Sequence, residues 1–106
     1  MTNIREIENY KSSFKPIFEK NDVQKVILFG SIGRDTQTRK SDIDLMIIMK
    51  TNKRFFNRFD DFNEILSLVR DRSVDMLIYT PEELDRISHR PFIKKILKEG
   101  IAIYEQ

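Results

Sequence analysis

Apolar positions along the chain change period several times, and each change marks an element. Ile4, Ile7, Phe14 and Phe18 recur near helical spacing among polar residues, so residues 3 to 20 read as a helix. Pro16 falls inside that pattern and predicts a kink or a restart. After Asn21-Asp22, the run from Val23 to Phe29 is short, apolar and rich in branched side chains, which predicts a strand. Gly30 to Lys40 is polar, with a short helical turn expected near Ser31. Ile43 to Met49 predicts a second, largely buried strand. Beyond a loop at Thr51 to Arg54, Phe55, Phe59, Phe62, Leu66 and Val69 alternate spacings of four and three, predicting one long helix that packs this stripe onto the sheet. Val74 to Tyr79 reads as a third strand. Thr80-Pro81-Glu82-Glu83 combines an N-cap, a proline at the first helical position and first-turn acids, predicting a helix to about Ser88. A further helix opens at Pro91 and is expected to end with Gly100 at its left-handed C-terminal position, before a short strand from Ile101 to Tyr104. Strands and helices mixed in this order predict an α/β (α+β) fold: a small mixed sheet with helices packed against it, one domain over residues 1–106.

Composition narrows the chemistry. There is no cysteine, which excludes disulfides, thiolate metal sites and cysteine nucleophiles. With 19 basic and 17 acidic residues, global charge does not call for nucleic acid. The stretch from Arg34 to Arg58 is locally basic (Arg34, Arg39, Lys40, Lys50, Lys53, Arg54 and Arg58), which by itself reads as a solvated face. The charged N-terminus lacks the apolar core of a secretory signal, and no apolar run is long enough for a bilayer, so a soluble, cytoplasmic protein is expected. His89 is the sole histidine and has no histidine or cysteine partner, so it reads as a surface residue. Tyr10, Tyr79 and Tyr104 read as packing residues.

The informative segment is FGSIGRDTQTRKSDIDL, residues 29 to 45. Two residues apart in a strand, Asp42 and Asp44 face the same way, with Cα atoms about 6.6 Å apart. Such a pair repels itself and is costly to bury unless it holds a hard cation. If the strand began only at Leu45, both acids would instead be solvated in a turn. Two further features favour a site. Gly30-Ser31 follows strand one directly, where a glycine lets the backbone approach a ligand and a serine offers its hydroxyl and N–H to an anion, with Arg34 nearby as a fixed positive charge suited to phosphate. Asp75 is a lone acid in an apolar strand. If strand one runs antiparallel to the next two, Gly30-Ser31, Asp42, Asp44 and Asp75 meet at one edge of the sheet. Carboxylates with a phosphate-binding turn suit metal-assisted phosphoryl transfer, in which positioning and electrostatics replace a protein nucleophile.

Gly30-Ser31, ten residues, then Asp42-x-Asp44 resembles the signature of the DNA polymerase beta-like nucleotidyltransferases. The short chain, the form Ser41-Asp42-Ile43-Asp44-Leu45 and the later Val74-Asp75 are similar to the minimal nucleotidyltransferases (MNT) within that superfamily. The resemblance implies the nucleotidyltransferase fold and a triphosphate contacted by the Gly30-Ser31 turn, to which Arg34 adds its charge. It also implies Asp42, Asp44 and Asp75 as catalytic residues binding Mg²⁺, two ions in all. Asp35 stands where many relatives have glycine and adds a negative charge close to the phosphate turn.

Family resemblance further implies transfer of AMP from ATP to a protein hydroxyl, most readily a tyrosine of a small helical HEPN-type toxin, with this chain as the antitoxin. A domain this small has no walls for a deep substrate pocket, so a partner surface could complete it. Alternatives are an antitoxin acting by contact without turnover, and, less favoured, transfer to a small molecule or to RNA. Nucleic acid is not expected as a direct substrate, nor a membrane as a partner. Apolar positions on the helices fit either a homo-oligomer or a hetero-complex.

Overall fold

The computed structural model describes residues 4–30, 42–70 and 72–106. Helix α1 (Ile4–Lys20) runs on through Pro16, burying Ile7, Phe14, Ile17 and Phe18 on one side. It ends with Asp22 in the left-handed region at φ 55°, the Asp22 N–H donating to Glu19 O (3.2 Å) and the Val23 N–H to Phe18 O (3.0 Å). Those two bonds satisfy terminal carbonyls in the Schellman manner. The Asn21 side chain adds a donation to Ile17 O and another to Asp61 O, tying the helix end to the segment that follows β2.

Four strands follow: β1 (Lys25–Phe29), β2 (Ile43–Ile48), β3 (Val74–Tyr79) and β4 (Ile101–Glu105), in the order β3-β2-β1-β4. β1 is antiparallel to β2 and to β4, while β2 and β3 are parallel. The sheet is therefore mixed, as the pattern predicts. One face, with Val26, Leu28, Ile43, Leu45, Ile47 and Ile78, packs against α1 and the segment after β2. The opposite face, with Ile27, Met46 and Ile48, receives α3 (Pro81–Ile87) and α4 (Pro91–Glu99).

The single helix expected over 55–69 is two elements. Phe55–Phe62 is a 3₁₀ segment, and only Asn63–Leu68 forms α-helix, α2. A 3₁₀ turn advances about 120° per residue against about 100° in an α-helix, so the stripe drifts out of phase. Ile65 is buried as a result, and Leu66, a member of the expected stripe, is 48% exposed.

Arg58 explains why the tighter winding holds. It is 5% exposed, not solvated as the basic stretch suggested. Its Nε donates to Lys53 O (3.0 Å) and Nη1 to Ile78 O (2.9 Å), while Nη1 and Nη2 grip both Glu83 oxygens at 2.6 and 3.0 Å. Glu83 also accepts from the Thr80 N–H (2.9 Å), and the Thr80 hydroxyl accepts from the Glu83 N–H, closing a capping box at the start of α3. Arg58 and the Thr80 N–H together hold the Glu83 carboxyl down at about 2.

Gly100 ends α4, but at φ −69° and ψ 162° it is extended rather than left-handed. Its glycine is required by crowding: a Cβ there would collide with the Ile27 side chain and lie 2.6 Å from Ile96 O. The tight join lets the chain pass from α4 straight into β4 alongside β1.

Candidate active site

Alternation along the strands sets the site on the face covered by α3 and α4. On β2, Asp44 shares that face with Met46 and Ile48; on β3, Asp75 shares it with Leu77 and Tyr79. The parallel register places Asp44 directly beside Asp75, and the antiparallel register places it opposite Phe29, one residue before Gly30. β2 begins at Ile43, so Asp44 belongs to the strand and is part-buried, whereas Asp42 lies just before it and is exposed.

Asp44 and Asp75 stand side by side on adjacent strands, close enough for each carboxylate to feel the other's charge. Burial, then the negative charges of Asp75 and Asp42, raise the Asp44 carboxyl to about 6. Such a pair is under electrostatic stress, which a proton or a cation relieves. Gly30 closes the other side at φ 77°, and a Cβ on it would strike the Asp44 carboxylate. Only glycine combines that backbone turn with that approach.

These residues fit a hard cation. The donors are all carboxylate oxygens, Asp44 and Asp75 are register neighbours, and Asp42 acts on Asp44 through its charge. Among the described residues, Asp42, Asp44 and Asp75 included, no three acidic or imidazole groups stand together as a metal-holding set. Ser31 and Arg34, expected to contact the triphosphate, lie outside the described residues, as do Gly33 and Asp35.

A cavity of about 320 Å³ opens beside Asp44. Phe29, Gly30 and Asp44 form its sheet side, and Phe92, Lys95 and Glu99 of α4 form its helical wall. The rings of Phe29 and Phe92 meet edge to face, 6.0 Å between centres. Sequence reasoning passed over these α4 residues. The signal was present: Phe92, Lys95 and Glu99 stand three and four apart, off the buried Ile93–Ile96 stripe, and so share one helix side. His89 is exposed, and no helix among the described residues is long and apolar enough to cross a membrane.

Comparison with known proteins agrees with this geometry. Residues 12–106 match the family described as Polymerase beta, Nucleotidyltransferase. A candidate protein adenylyltransferase of Methanocaldococcus jannaschii is 30% identical over 103 residues, 95% of this chain and 97% of the relative. In fold, the chain is similar to a toxin–antitoxin structure with AMP-PNP, at TM-score 0.67 and 21% identity, covering 91% of this chain and 73% of the other. It is also similar to a structure of a tri-AMPylated HEPN toxin in complex with an MNT antitoxin from Shewanella oneidensis, at TM-score 0.62 and 16% identity, covering 94% and 73%. The chain belongs to the polymerase beta nucleotidyltransferase family, and its enzymatic class is that of a nucleotidyltransferase.

Proposed function

We infer that this enzyme transfers AMP from ATP to a hydroxyl of a partner protein, and that the partner is a small helical toxin of the HEPN kind, which the transfer silences. The observation that carries the reading is the Asp44–Asp75 pair, neighbours in the β2–β3 register, standing against Gly30. Asp44 and Asp75, with Asp42 at the rim, would hold Mg²⁺, which supplies positive charge for the triphosphate and the departing pyrophosphate. Gly30 brings backbone close to the same spot, where Ser31 and Arg34 are proposed to bind phosphate oxygens. In the reaction the acceptor oxygen bonds to the α-phosphorus as the bond to pyrophosphate breaks, and the hydroxyl proton passes to water.

The names of the relatives support the acceptor class: the M. jannaschii protein is named for adenylyl transfer to protein, and the toxin in the Shewanella complex is AMPylated. The cavity beside Asp44 is open to the outside rather than enclosed, which suits a substrate that brings its own surface. The test is to incubate the protein with α-labelled ATP, Mg²⁺ and the product of the neighbouring gene. Label on that partner, lost with Asp44→Asn or Asp75→Asn, is the expected result; no transfer to the partner with any nucleotide sinks the reading.

A contact-only antitoxin is the second reading, favoured by Leu66 and Leu68 standing exposed on α2. The variant with asparagine at both Asp42 and Asp44 separates the two: neutralisation that survives it unchanged makes contact sufficient.

A further inference from the structure

We propose that the outer edge of β4 takes up a short acidic strand from a partner protein, which joins the sheet beside Lys11 and Lys15 of α1. β1 stands between this edge and the strand that carries Asp44, so docking here is separate from the proposed transfer chemistry.

The strand order β3-β2-β1-β4 gives β4 one neighbour, β1, and no described strand on its other side. An open edge of this kind offers unpaired N–H and C=O groups, which an extended chain completes. β3 ends the sheet on the far side, but there Arg58 already donates to the Ile78 carbonyl (2.9 Å). Neither proline nor a charged residue interrupts β4 from Ile101 to Tyr104, and Ala102 is small and exposed. Opposite β1, β4 holds an extra residue at Ile103, between the pairs Val26–Tyr104 and Ile27–Ala102. The resulting bend limits the addition to a short strand and disfavours open-ended stacking.

A groove of about 460 Å³ lies along this edge, between residues 102–105 and Lys11, Ser12 and Lys15. Phe18 packs on Tyr104 with 5.4 Å between ring centres, which holds α1 in place over the strand. Lys15 is exposed and no described residue pairs with it. Lys11 reaches only the exposed Glu8, at 3.5 Å, a contact of little strength. One helical turn separates the two lysines by about 6 Å along the axis. Alternate residues of a strand are about 6.6 Å apart, so acids at alternate positions match both lysines. A second copy of β4 is a poorer match, because Ile101 to Tyr104 brings them no charge.

Titration of the intact chain with a blocked peptide of alternating valine and glutamate tests this, read by fluorescence anisotropy and by amide hydrogen exchange. The peptide should bind and slow exchange in β4. It should bind at least about tenfold more tightly than a valine–lysine peptide. It should exceed by as much a valine–glutamate peptide with alternate amides N-methylated, which keeps the charge but cannot form the ladder. Lys15→Glu should lose about tenfold in affinity and melt like the wild type, and Asp44→Asn should bind unchanged. Equal binding of the N-methylated peptide would reduce the contact to charge alone and overturn the proposal, as would no binding. It also falls if β4 is protected without peptide in a sedimenting dimer, or if oligouridylate binds more tightly than the peptide. None of these results touches the transfer reading, which labelled ATP tests separately.

Discussion

Gly30 and Asp44 sit so close that a Cβ on Gly30 would collide with the Asp44 carboxylate. The β1–β2 register puts them there, since Phe29 pairs with Asp44 and the chain turns away at the next residue.

Gly30→Ala should therefore disable the site with modest cost to the fold. The variant must leave φ 77° or push Asp44 aside, at about 1–2 kcal/mol. ATP affinity should fall by more than about tenfold, while circular dichroism stays that of the wild type. Undiminished binding by calorimetry would contradict the geometry.

Asp44→Asn should stabilise the metal-free protein. The Asp44 carboxyl titrates near 6 in the fold against 3.8 as a free group, so between those values the native state holds the extra proton. This group's contribution therefore falls as pH rises from about 4 to 6. At pH 7 the asparagine variant should melt a few degrees higher than the wild type. Added Mg²⁺ should raise the wild-type melting temperature and leave that of the variant unmoved, and chelation should reverse the rise.

Glu83 works in the opposite direction. Its carboxyl is lowered from 4.5 to about 2, so its contribution is complete above 4.5 and is lost as pH falls toward 2. Glu83→Gln should flatten the acid limb of a pH–stability curve. Arg58→Met should destabilise by about 3 kcal/mol in urea, because it strands a capping carboxylate and frees the Ile78 and Lys53 carbonyls.

The change of winding after β2 makes neighbouring residues unequal. Ile65→Ala removes a fully buried side chain and should cost about 2–4 kcal/mol, whereas Leu66→Ala should cost less than about 1 kcal/mol. Equal losses would mean one continuous helix.

Much of this was legible in the residues. Strand bounds followed from branched apolar runs closed by turn residues, and the start of α3 from Thr80-Pro81. The gathering of Gly30, Asp44 and Asp75 could be foreseen because strand alternation and an antiparallel β1–β2 pair leave few arrangements. Local pattern failed where a distant partner decided. Arg58 is buried because Glu83, twenty-five residues on, receives it, and periodicity carries no record of that. Gly100 has the sequence position of a left-handed helix end, yet Ile27 determines its need for glycine. The α4 wall escaped notice because phenylalanine, lysine and glutamate on a surface helix read as ordinary until a cavity faces them.

The parallel β2–β3 pairing ties the chemistry to counting. Asp44 meets Asp75 only while Ile43 stands beside Val74 and the remaining partners stay in step. Moving β3 by one place would turn Asp75 to the α1 side and bring an apolar neighbour to Asp44. A misthreaded molecule could keep most of its hydrogen bonds and still be inert, so correct assembly of this edge is itself a condition of turnover.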